Sequence, residues 1–176
     1  MEKDPLSRKL AVLLRADIVG STSLFQKNEA IAHQRIQTTF QNPSKTIASY
    51  GGLTHEVRGN ALVAEFKRTS DAVVAALAFQ AANGEVNTTL SDDIQLQLRI
   101  GMSLSEVIIA DGTVTGSGVV MAQRLEQLAD PGGVLVQGTV AETLAARAAW
   151  PLLRDVRQLL VIATRWNWRG KSERLL

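Results

Sequence analysis

Asp17 is the first residue whose type and surroundings could do chemistry: it closes the run LAVLLRAD and is followed within five residues by Gly20, Ser21 and Thr22. A carboxylate is too costly to bury unpaired, so at the end of an apolar segment it calls for a cation or a donor. The successive backbone N–H groups of Gly20, Ser21 and Thr22, at the start of the next helix, could form a concavity that binds phosphate. A carboxylate beside a phosphate cradle suits a divalent ion, because magnesium takes one or two carboxylates and completes its shell with water and substrate phosphate. A plainer use is open too: Asp17 and Ser21 could simply cap the following helix.

The elements that must position this site follow from the apolar pattern. Residues 10–14, LAVLL, are too short and too aliphatic for an amphipathic helix and read as a strand buried on both faces, with Asp17 just beyond its end. Residues 24–49 are polar with apolar Ile31, Ile36, Phe40 and Ile47 at loose helical spacing, interrupted by Pro43, which predicts two helices or one broken one. Gly51-Gly52 ends them, and residues 53–57 and 61–66 flank Arg58-Gly59-Asn60 as a hairpin whose turn would sit beside the end of the first strand.

Ser70-Asp71 should cap a core helix, AVVAALAFQAAN, that stops at Asn83-Gly84 and gives way to a loop over 85–93. Residues 94–102 alternate as the clearest strand, and 106–110 read as a second. A glycine-rich loop at 111–118 leads into a helix at about 119–129, followed by a strand at 134–137 and a helix at 139–148. Beyond Trp150, strands near 159–163 and 164–168 are expected. Strands and helices interleave without a strict βαβ repeat, which predicts an α+β sheet with helices on one face.

Composition narrows the function classes. The chain of 176 residues, 45% hydrophobic, reads as a single domain over 1–176, with a core at about 8–148 and C-terminal strands and a tail at 149–176. A net charge of +2 lacks the dense basic stripe of a nucleic-acid binder, so no nucleic-acid partner is expected. Arg165, Arg169, Lys171 and Arg174 read as a solvated terminus rather than such a surface, and Trp150, Trp166 and Trp168 as packing the sheet edge or a dimer contact. There is no cysteine, which removes disulfides and thiol chemistry, and His33 and His55 are too far apart in sequence to signal a metal pair. No apolar run approaches a membrane span and MEKDPLSRK lacks the apolar core of a signal peptide, so a cytoplasmic protein is expected.

Four segments, LAVLLRADIVGST, GGLTHEVRGNALVAEF, LRIGMSLSEVII and GSGVVMAQRLEQLADPGGVLVQGTV, occur in an order and spacing that resembles the class III adenylate/guanylate cyclase catalytic domain over about 10–140. The resemblance implies a ferredoxin-like nucleotidyl cyclase fold, with a mixed, mainly antiparallel sheet and helices packed on it. It also implies Mg2+ or Mn2+, ATP or GTP as substrate, and a head-to-tail homodimer with shared sites. The family's reaction is attack of a ribose 3′ hydroxyl on the α-phosphate with release of pyrophosphate. By this resemblance Asp17 and the backbone of Ile18 match metal-binding positions, and Asn60 stands where the second metal carboxylate belongs. Arg124 matches an arginine that stabilises phosphate charge, and Val120 replaces the ribose-orienting asparagine one helical turn earlier. A loose match puts Leu160 where the family has a phosphate-binding lysine.

Base choice has its own pair of positions. Glu56 stands where guanylate cyclases carry glutamate and adenylate cyclases lysine, and Thr113 matches its partner. A glutamate can accept from guanine N1–H and the 2-amino group, whereas against adenine N1 it sets acceptor against acceptor, so GTP is favoured over ATP. The threonine hydroxyl serves either base. Asn60 brings no negative charge to a magnesium pair and Val120 cannot bond a ribose, which together favour a cyclase homologue that is weak or degenerate at its active site. The alternative is an inactive cyclase-like module that binds nucleotide or another protein. Plainer readings stay open for single residues: Arg124 as a solvated helix residue, Glu56 as a solvated strand residue. A ferredoxin-like RNA-binding domain would need exposed aromatics on its central strands, and LAVLLRADI and LQLRIGM have none.

Overall fold

The apolar run around Asp17 extends beyond its five central aliphatics. In the computed structural model, which describes residues 7–110, 113–146 and 160–163, it forms β1 (Ser7–Ile18), flanked by antiparallel β3 (Ala61–Phe66) and β4 (Leu98–Ala110). Asp17 therefore lies inside the strand, opposite Ala61 and Arg99, and not beyond its end. Side chains alternate across a strand: Val12, Leu14, Ala16 and Ile18 enter one core, Ala11 and Leu13 another.

Among the described residues the sheet runs β2-β3-β1-β4-β6-β7, with β2 (Leu53–Arg58), β6 (Val134–Gln137) and β7 (Leu160–Ala163), while β5 (Thr113–Thr115) pairs with the far end of β4. Pairs β4–β6 and β6–β7 are parallel and the others antiparallel, the mixed, mainly antiparallel α+β sheet expected. The strands expected at 94–102 and 106–110 are one strand, β4, of 13 residues, which begins only at Leu98, so residues 94–97 precede it. The polar stretch between them is no turn: the buried Ser103 hydroxyl donates to the Gly118 carbonyl at 2.8 Å, and the Leu104 N–H donates to Gln137 Oε1 at 3.1 Å. The segment at 164–168, the tryptophans and the basic tail lie outside the described residues.

Helices cover both faces, not one. On the side of Val12 and Leu14 lie α2 (Glu29–Ser49), α3 (Thr69–Thr89) and α5 (Gly138–Ala146), joined by Leu24 of α1 (Ser21–Lys27). Phe40 of α2 meets Phe79 of α3 edge to face, with centroids 6.4 Å apart. The opposite face also carries apolar side chains, Leu13, Val107 and Leu135, and α4 (Ser117–Leu128) covers them with Ala122 and Leu125. This helix comes close because position 101 is glycine: a Cβ there would stand 2.2 Å from the Ala122 carbonyl oxygen.

Helix boundaries also differ from the sequence reading, and hydrogen bonds account for the break between α1 and α2 and for the end of α3. The break between α1 and α2 is at Asn28, whose side chain accepts from the Ile31 N–H at 3.1 Å, and α2 continues through Pro43. Helix α3 begins at Thr69, ahead of the expected Ser70-Asp71 cap, and runs past Asn83-Gly84 to Thr89. Its polar residues are bonded across to the chain entering β4. Gln80 Nε2 donates to the carbonyls of Leu98 (3.1 Å) and Gly133 (3.0 Å), and Asn83 and Asn87 each donate to the Leu96 carbonyl at 2.7 Å. Buried carbonyls need donors, so Asn83, which with Gly84 resembles a stop signal, is an internal tie, as is Asn87. Arg35 of α2 grips Asp92 with two bonds, of 2.5 and 2.6 Å, and also donates to the Ile94 carbonyl. That bidentate grip, aided by the Ile94 N–H, holds the Asp92 carboxyl down at about 2.

Candidate functional site

The hairpin forms as the glycine requires. Arg58 pairs with Ala61, leaving Gly59-Asn60 as a two-residue turn with Gly59 at φ 58°. The turn lies against the end of β1, where the Ile18 N–H donates to the Asn60 carbonyl at 3.1 Å. Gly20, in the left-handed region at φ 63°, is the N-cap of α1 and no side chain caps that helix, so Asp17 and Ser21 are not capping residues. Ser21 Oγ instead accepts from Asn60 Nδ2 at 2.9 Å. The backbone N–H groups of Gly20, Ser21 and Thr22 lie at the start of α1, as the sequence placed them.

Asp17 faces the α4 side of the sheet and joins a charge cluster. Its Oδ2 is 3.5 Å from Arg99 Nη2, which is 3.2 Å from Glu126 Oε1, and Arg15 Nε is 3.6 Å from Glu126 Oε2. The Glu126 side chain is only 2% exposed. Burial, and after it the Asp17 charge, push the Glu126 carboxyl up from its ordinary value against the pull of Arg99 and Arg15.

A divalent ion pair does not fit these side chains. Among the described residues no three Asp, Glu or His groups gather where a metal could sit. Asp17 has a guanidinium beside it, and Asn60 is neutral with its amide bonded to Ser21. The two positions adjoin through the backbone, yet their side chains engage different partners. Asn60 and Ser21 instead rim a cleft of about 620 Å³ whose apolar lining includes Phe25, Ile36 and Phe40.

The base-choice pair does come together. Glu56 and Thr113, 57 positions apart in the sequence, line one cavity of about 280 Å³ with Arg15, Val63, Val114 and Val119. Arg58 Nε pairs with Glu56 Oε1 at 2.6 Å, but the Arg58 side chain is 86% exposed, so the pair is a weak surface contact that leaves the second carboxylate oxygen. On α4 the inward residues are Ala122, Leu125 and Glu126, and Val120 and Arg124, one turn apart, lie exposed on its outer side. The chain's own fold thus gathers Glu56 with Thr113, and Asp17 with the Asn60 turn, and leaves Val120 and Arg124 outside both groups. Leu160 falls in β7.

Sequence reasoning missed Arg15, Arg99 and Glu126. The signal was present: an arginine inside LLRAD and another inside LRIG, each in a strand too apolar to leave a charge unpaired, require a carboxylate nearby. Which carboxylate is a matter of tertiary packing.

The mixed, mainly antiparallel sheet with helices packed on it is the fold that the cyclase resemblance implies. No protein-family model matches the chain. A Rhizobium meliloti (strain 1021) protein named "Putative adenylate cyclase 3" is 31% identical over 98% of this chain, which spans 30% of that relative's length. The adenylate/guanylate cyclase/hydrolase from Silicibacter pomeroyi superposes with TM-score 0.73 at 28% identity, over 81% of this chain and 84% of that one. The adenylyl cyclase CyaB from P. aeruginosa shares the fold, with TM-score 0.73 at 19% identity over 97% of this chain and 93% of that one. The chain belongs to the class III adenylate/guanylate cyclase catalytic-domain family. Among the described residues no helix is long and apolar enough to cross a membrane.

Proposed function

We propose that this chain is a class III cyclase homologue that takes a purine nucleoside triphosphate, GTP ahead of ATP, and is degenerate in the half of the site that would hold metal. The single observation behind this is the hydrogen bond from Asn60 Nδ2 to Ser21 Oγ: at the second metal position stands a neutral amide already committed to a neighbouring hydroxyl. Glu56 and Thr113 in one cavity support retained base recognition. Gly20, Ser21 and Thr22 would take phosphate through their N–H groups, and Arg124 would meet phosphate charge from a second copy in a head-to-tail homodimer. Val120 in place of an asparagine leaves the ribose hydroxyl unoriented, and mispositioning a reacting group is itself costly. Cyclic nucleotide synthesis is therefore weak, and binding of nucleotide in a regulatory role is the expected use of the domain.

The test is turnover of GTP and of ATP by the purified chain with manganese, read by product chromatography, beside an Asp17→Ala control and a nucleotide-binding titration. Nucleotide binding with a trace of cyclic product that disappears in the control supports the reading. Turnover at the rate of an ordinary enzyme, a median near 10 per second, refutes the degeneracy, and an absence of nucleotide binding refutes the whole reading.

A further inference from the structure

Arg15 is an anomaly in β1. It interrupts an apolar strand, is 22% exposed, and has one charged partner among the described residues, Glu126. At 3.6 Å that contact is an ion pair beyond hydrogen-bond length, and the buried Nε has no acceptor. The strand register puts Arg15 opposite Val63 and Val63 opposite Glu56, so the three stand in one row on one face of the sheet. Two strand spacings set the β1 and β2 backbones about 10 Å apart. Arg15 and Glu56 thus stand at the ends of a floor made by Val63, and Thr113, Val114 and Val119, with His55, Val57 and Arg58, line the rest of the cavity of about 280 Å³.

Such a cavity suits a flat heterocycle: aliphatic floor and wall, donors at one end, an acceptor at the other. Guanine presents acceptors O6 and N7 on one edge and donors N1–H and the 2-amino group on the next. Arginine matches O6 and N7 with two parallel donors of fixed geometry, and a carboxylate matches the donor edge. Adenine would turn its 6-amino donor toward the guanidinium and its N1 acceptor toward Glu56, leaving both ends mismatched. Glu126 holds the guanidinium from behind, which lowers the cost of ordering a long side chain.

We infer that Arg15 is a specificity-determining residue that selects guanine by donating to O6 and N7 while Glu56 accepts from the adjoining N1–H and 2-amino edge. This rests on the proposal that the chain binds purine nucleotides, and deepens it.

The experiment is calorimetric titration of the full chain, of Arg15→Met and of Arg15→Met combined with Glu126→Gln with GTP, ATP and 2-aminopurine riboside triphosphate, which lacks both O6 and N1–H, with folding checked by circular dichroism. Lysine would itself donate to O6 and N7, so the charge is removed, and the double variant, which leaves no unpaired carboxylate behind, keeps the test open if the single one fails to fold. Wild type is expected to bind GTP about tenfold more tightly than ATP, and each folded variant to lose about that factor for GTP. Each should lose less for ATP and for the 2-aminopurine nucleotide, which keep N7 alone of the two acceptors. Unchanged GTP preference in either folded variant, or equal or weaker binding of GTP than ATP by wild type, overturns the role of Arg15 and leaves nucleotide binding standing. Binding of no purine nucleotide by wild type overturns both.

Discussion

The two faces of this sheet carry different kinds of residue. Beneath α2, α3 and α5 the strands contribute aliphatic side chains, Val12, Leu14, Ala16 and Ile18 from β1 alone, in one continuous apolar core. Beneath α4 the cover is one helix of 12 residues, and the same strands carry Lys9, Arg15, Asp17, Glu65 and Arg99. Each of these charges is paired: Glu65, for instance, lies 2.5 Å from Lys9 and 3.1 Å from His55. A fully sheathed face has no room for charges without partners, whereas a half-covered one supplies both a low-dielectric floor and access for a ligand. The candidate base pocket and Asp17 both belong to the half-covered face.

Four substitutions would break or sharpen that contrast. The largest effect belongs to the sheathed face: Leu14→Ala, at a position 1% exposed, is expected to cost about 2–5 kcal/mol in denaturant unfolding. Leu10→Ala, on the same strand and the same face but 69% exposed, should stay within about 0.5 kcal/mol, and equal losses would mean that the helices do not sheathe Leu14. Next comes the close approach of α4, where Gly101→Ala drives a methyl into the Ala122 carbonyl and Glu126 N–H. A loss of about 1–3 kcal/mol is expected, and a neutral result would mean that α4 rests on this face more loosely than described.

The smallest effect is a slope against pH. Glu126 is held above its ordinary carboxyl value, chiefly by burial. A carboxyl raised on folding stabilises fully below its unfolded pKa, and that contribution is lost as pH rises through the folded value. Glu126→Gln removes this titration. The stability of wild type relative to the variant should therefore grow as pH falls from neutral toward the ordinary carboxyl range, and a pH-independent difference would contradict the burial of a charge there.

The sequence was most legible where local pattern and tertiary role coincide. Gly59-Asn60 between two alternating runs is a hairpin in any context, and Asp17 at the end of an aliphatic run is exposed to chemistry in most. It was least legible where a residue's local habit serves a distant partner. Asn83, before Gly84, looks like the end of a helix and is a donor to the Leu96 carbonyl. Ser103 and Ser105 fall in the gap between two expected strands and lie within β4. Arg15, Arg99 and Glu126 come from three elements, so their cluster exists only once β1, β4 and α4 pack. The cavity joining Glu56 to Thr113 came through the family resemblance, since nothing local relates two residues that distant.

The most direct test of a degenerate metal half is restoration. Asn60→Asp together with Val120→Asn returns the carboxylate and the ribose-orienting amide to one chain, and the rate of GTP cyclisation with manganese is compared with that of wild type. A gain of about a hundredfold or more is expected, the scale on which single transition-state contacts act. A folded, GTP-binding double variant that is no faster than wild type would contradict the account.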